Sequence, residues 1–132
     1  MSPPDFSEAL RAFIRKHISS VEQVEVLLLL YRTSPREWSA VTVGRELRID
    51  PVSAARRLAD FHEQGLVSVR VTDEAILYWY EGSSPADDRM IAELDREFRD
   101  RRTSLISLIF ASPSDDLQAF ADAFRLRPRN KD

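Results

Sequence analysis

The sequence predicts a mainly α (α+β) fold assembled around one β-hairpin. Three observations carry this expectation. Helix start and stop signals recur along the whole chain. Only one pair of neighbouring β-branched and aromatic runs is present. The 132 residues contain just three glycines, Gly44, Gly65 and Gly82. So few glycines leave little material for the tight turns of an all-β fold. They also exclude a Gly-rich phosphate loop or a dinucleotide-binding GxGxxG pattern. The length suits one globular core and is too short for two independent ones.

The elements follow in order. Over residues 5–17, Phe6, Leu10, Phe13, Ile14 and His17 share one helical face. Ser19 and Glu22 have the spacing of a capping box that opens a helix over about 20–33. Its run from Val26 to Tyr31 is apolar all round, which makes this helix central and buried. Ser34 and Pro35 stop it, because proline disfavours a helical residue before it. Ser39, after Trp38, reads as the N-cap of a short helix over 40–47. Gly44 inside that helix costs roughly 1 kcal/mol against Ala, which points to close approach of another helix. Asp50 and Pro51 then form a carboxylate cap followed by proline at the first helical position. The helix they open runs to Gln64, with Ala54, Leu58 and Phe61 as its buried stripe and Gly65 at its left-handed C′ position.

Leu66–Val71 and Ala75–Tyr80, separated by Thr72, Asp73 and Glu74, read as a short-looped hairpin. Ser84 and Pro85 are N-cap and first position of one long helix over about 86–110, with Asp87 and Asp88 at its positive end. Ser112 and Pro113 end it. Ser114, Asp115 and Asp116 cap a last helix to about 126, with Leu117, Phe120 and Phe124 on one face. The organisation expected is an N-terminal helix (1–18), a central domain (19–82), a long helix (83–111) and a C-terminal helix and tail (112–132).

The succession of helix, short strand, helix, tight turn, helix and hairpin over 20–80 resembles a bacterial winged helix-turn-helix domain. The residues that carry the resemblance are Trp38 and Ser39, the run from Leu47 to Leu58 through the turn, and Gly65, Leu66 and Val67 leading into the wing. It is similar to MarR-, ArsR- and PadR-type regulators without selecting one of them. The extra helices at both ends lie outside that domain. The resemblance implies a transcriptional regulator whose helix at 51–64 enters the DNA major groove, which is about 12 Å wide and admits one helix. With Ala54, Leu58 and Phe61 inward, Pro51, Val52, Ser53, Arg56 and Arg57 are expected to face outward. Arg56 and Arg57 suit guanine edges or phosphates, Ser53 a phosphate and Val52 a thymine methyl. Arg45 and Arg48, on the bracing helix and turn, could reach phosphates.

Charge speaks for caution. Nineteen basic residues stand against 22 acidic ones, a net of −3. Seventeen of the basic residues are Arg, which suits phosphate or carboxylate recognition and is equally a mark of GC-rich coding DNA. Residues 36–70 hold six basic and five acidic side chains, a net of only +1, whereas DNA-binding domains are usually clearly basic. Asp73 and Glu74 place acid at the wing tip, and Asp60 and Glu63 follow the two arginines of the recognition helix. A winged-helix protein–protein adaptor, binding for example a component of the transcription machinery, therefore stands as the alternative.

Ile91, Leu94, Phe98, Leu105 and Leu108 step along the long helix as a heptad seam interrupted at Arg101. A 25-residue helix would be about 38 Å long, more than a winged-helix core is wide. The expected cover is a second copy of the chain, which would set two recognition helices about one DNA turn apart.

No enzyme is expected, and no metal or cofactor. The chain has no cysteine and only two histidines. His17 lies on an apolar face, where packing explains it. His62 lacks a second histidine four residues on. Trp38, Tyr78, Trp79 and Tyr80 could line a small-molecule pocket, although hairpin packing accounts for them as well. Residues 1–5 lack the pattern of a signal peptide, and the longest apolar run is six residues against the ~20 of a membrane span. A cytoplasmic protein without membrane contact is the expectation.

Overall fold

The computed structural model describes residues 6–111. Its elements are α1 (Glu8–His17), α2 (Val21–Thr33), α3 (Ala40–Leu47), α4 (Pro51–Glu63), β1 (Val67–Val71), β2 (Ile76–Tyr80), α5 (Pro85–Asp100) and α6 (Arg102–Ala111). The mainly helical winged-helix topology expected from the sequence is what the chain adopts. The helix over 115–126 lies outside the described residues.

Helix α2 runs through the centre. Val24, Val26, Leu27, Leu28 and Leu30 are all buried, on nearly every side of the helix. Its capping box stands one residue later than Ser19 and Glu22. Ser20 accepts from the Gln23 N–H at 3.2 Å, and the Gln23 carboxamide accepts from the Ser20 N–H at 3.0 Å. Glu22 is thereby free of capping and projects toward α4. Helices α3 and α4 pack as the helix-turn-helix pair, and α4 sends Ala54, Leu58 and Phe61 into the core. Gly65 follows at φ 80°, as its C′ position requires.

The wing is antiparallel β1–β2, with Val67 opposite Tyr80, Val69 opposite Tyr78 and Val71 opposite Ile76. Trp38 adds a bridge on the far side of β2, exchanging 2.7 Å hydrogen bonds with Tyr78. The aromatic residues here pack. Trp38 is buried and its indole donates to Thr33 Oγ1 at 2.9 Å, Tyr78 is buried, and Tyr80 meets Tyr31 edge-on at 5.2 Å.

The single long helix expected over 86–110 is two helices. Arg101 leaves helical geometry at φ −135°, ψ 53° and ends α5. A tertiary contact accompanies the break. Arg101 grips Glu97 at 2.7 and 3.0 Å and lies over the Phe6 ring at 4.4 Å. The bend turns Leu105 and Ile109 back onto the core. Ile91, Leu94, Phe98 and Leu105 are 0%, 0%, 5% and 0% exposed within the one chain, and Leu108 is partly buried against the same core. The length argument for a second chain over this seam therefore lapses. Phe110, 71% exposed, is the large apolar side chain that α6 leaves uncovered.

Candidate nucleic-acid interface

The turn between α3 and α4 explains Gly44. A Cβ at that position would lie 2.9 Å from the Ile49 carbonyl oxygen and 3.4 Å from Pro51 Cα. The close neighbour is thus the turn and the first residue of α4, rather than the body of another helix. The Gly44 carbonyl accepts from the N–H groups of Arg48 and Ile49 as the chain reverses. Arg48 takes the left-handed conformation at φ 60°, ψ 48°, a geometry that costs a non-glycine residue about 1 kcal/mol. Asp50 then accepts from the Val52 N–H at 2.8 Å and starts α4.

The outward face of α4 divides in two. Val52, 68% exposed, and Arg56 form its outer edge. Arg45 and Arg48 are exposed beside it, and among the described residues Arg45, Arg48 and Arg56 make no ion pair. Ser53 and Arg57, expected to face outward, instead occupy the flank against α2. The Ser53 hydroxyl donates to Glu22 Oε1, and Arg57 Nε donates to the same oxygen at 2.9 Å. Both charged side chains are about three-quarters covered. The Ser53 hydrogen bond, aided by Arg57, holds the Glu22 carboxyl below the ordinary carboxylate range despite its burial. Sequence reading missed Glu22 because its spacing from Ser19 assigned it to a cap.

The wing has little free positive charge. Arg70 on β1 pairs with Glu37 at 2.6 Å. Asp73 and Glu74 are exposed at the tip, whose turn is closed by the Thr72 hydroxyl accepting from the Ala75 N–H at 3.0 Å. Val41 on α3, Val52 on α4, Val71 on β1 and Ile76 on β2 are exposed large apolar side chains. An open groove lined by Val41, Ala55, Glu74, Ile76 and Tyr78 separates α3 and α4 from the wing.

His17 is buried as its apolar face foretold. Its ring meets that of Phe13 at a 47° tilt with centroids 4.6 Å apart, and its Nδ1–H donates to Gln64 Oε1 at 2.5 Å. Among the described residues no group of three or more His, Asp or Glu is placed to hold a metal ion. No described helix is long and apolar enough to cross a membrane.

No family model matches the sequence. No curated protein matches it either. Solved structures do. MepR, a transcription regulator of the Staphylococcus aureus multidrug efflux pump MepA, superposes with a TM-score of 0.53 at 12% identity over 94% of this chain and 87% of that one. A mutant of Lactococcus lactis ZitR gives 0.53 at 13% identity, over 99% of this chain and 83% of that one. Reduced HlyU from Vibrio cholerae gives 0.52 at 17% identity, over 70% and 90% respectively. At such identities the likeness is one of fold alone, the mainly helical winged-helix topology with its single β-hairpin.

Proposed function

We propose that the chain is a winged-helix transcriptional regulator that binds double-stranded DNA as a homodimer, with α4 in the major groove. The observation that carries this reading is the outer edge of α4. Val52 and Arg56 stand exposed there beside Arg45 and Arg48, and none of the three arginines has an internal carboxylate partner among the described residues. Unpaired guanidinium groups on α3, the turn and α4 suit phosphates and guanine edges. The Val52 side chain suits a thymine methyl. Arg45 and Arg48 would position the duplex, and Arg56 would read it.

The test is fluorescence anisotropy with random-sequence duplex DNA over a salt series. Binding should appear at about 10 mM salt and weaken linearly in log salt, with a slope near −0.9 per phosphate contacted. Arg56→Ala should weaken binding without changing the fold. Absence of binding at the lowest salt overturns the reading.

A second reading is favoured by a specific observation. The groove between α3, α4 and the wing is mostly apolar, lined by Val41, Ala55, Ala75 and Ile76 with Glu74 at the wing tip. Such a surface suits a protein partner of the transcription machinery. Ile76→Asp should then abolish partner binding and leave DNA affinity untouched; loss of DNA affinity alone would assign the groove to the duplex.

A further inference from the structure

The contact between Glu22, Ser53 and Arg57 has the chemistry of a filled phosphate site. A hydroxyl and a guanidinium N–H from adjacent turns of α4 converge on one anionic oxygen. A DNA phosphate oxygen accepts from the same two donor types in the same way. The occupant here is a carboxylate on α2, 31 and 35 residues away in sequence from its two donors. It sits on the flank of the helix that the preceding reading places in the groove, and this inference rests on that reading.

We propose that Ser53 and Arg57 form an anion site for a DNA phosphate, and that Glu22 occupies it in the free protein as an internal competitor. Binding of the duplex then exchanges one anion for another. The Glu22 carboxylate leaves, the phosphate takes its two donors, and no net ion pair is gained at this position. Free positive charge is thereby withheld from arbitrary duplex until the outer edge of α4 is seated. Glu22 is in this sense a specificity-determining residue: it suppresses non-specific affinity, which comes from phosphate neutralisation.

Two measurements test this, one without DNA. In the first, wild type and Glu22→Gln are titrated with random-sequence duplex over a salt series. The variant should bind roughly tenfold more tightly, with a log–log salt slope steeper by about 0.9, the increment of one added phosphate contact. Arg57→Ala in the Glu22→Gln background should erase both changes. In the second, the Arg57 Nε–H resonance is followed by NMR while inorganic phosphate is added. Glu22→Ala, with its site vacant, should show a saturable shift that wild type resists. If wild type binds DNA and Glu22→Gln binds equally or more weakly, Glu22 buttresses Arg57 rather than competing for it, and the proposal is overturned. An identical phosphate response in wild type and Glu22→Ala overturns it too. If no protein binds DNA while Glu22→Ala takes up phosphate, the anion site stands and the DNA-binding reading falls alone.

Discussion

His17 links α1 to the C-terminal end of α4 through its hydrogen bond to Gln64. Burial lowers its pKa, and this outweighs the hydrogen bond to Gln64, which favours the protonated ring. Lys16 lowers it further and Asp87 opposes. A histidine with a depressed folded-state pKa stabilises the fold fully above its unfolded value of about 6.5. Below that pH the unfolded chain takes up a proton that the folded chain resists, so stability falls as pH falls through the folded pKa. The melting temperature should therefore be flat between pH 7 and 8 and decline below about 6.5. His17→Gln should remove that decline. Glu22 and Glu97, both held low by hydrogen bonds from Ser53 and Arg101 respectively, lose their contributions in a separate window, below the ordinary carboxylate pKa. A slope that survives in His17→Gln would assign the effect to some other group.

At the scale of elements, α4 was legible because each of its determinants is local. Asp50, Pro51, the stripe of Ala54, Leu58 and Phe61, and Gly65 all lie within one helix and its caps. What surrounds α4 was less so. Two capping boxes overlap by one residue before α2, and either satisfies the spacing rule. The Ser19–Glu22 spacing assigns to a cap the carboxylate that in the fold binds Ser53 and Arg57, a contact that exists only once α2 and α4 are packed. The break at Arg101 was hidden for a similar reason. Neither glycine nor proline marks it, and the Phe6 ring that holds the guanidinium comes from the other end of the described chain. Gly44 gave a true signal of close approach, but the neighbour was the adjoining turn. That neighbour is backbone and has little room to move. Gly44→Ala gains roughly 1 kcal/mol of helix propensity and meets overpacking of about 1–3 kcal/mol. The expected outcome is a net loss, read as a lower denaturant midpoint at unchanged slope. A raised midpoint would show that the turn can relax.

For the whole molecule, the question is which apolar surface a second copy would cover. The seam from Ile91 to Leu105 is already inside the chain, so it contributes little to a dimer. Phe110, 71% exposed, stands at the end of α6, and Leu108 beside it is only partly buried. An open groove lined by Phe6, Arg11, Ser104 and Leu108 continues this surface. An exposed apolar end of this kind is where symmetric pairing has most to gain, since burial returns about 25 cal/mol per Å² of apolar area. Two substitutions separate the possibilities. Phe98→Asp places an unpaired charge at a 5% exposed core position and should unfold the protein. Phe110→Asp should leave circular dichroism and melting intact. Light scattering after gel filtration should find wild type at about twice 15.2 kDa and Phe110→Asp at 15.2 kDa. The halved mass should bring a marked loss of affinity for a two-half-site duplex, because each recognition helix then binds alone. Wild type at the monomer mass would remove the dimer and leave a single α4 to account for any DNA binding.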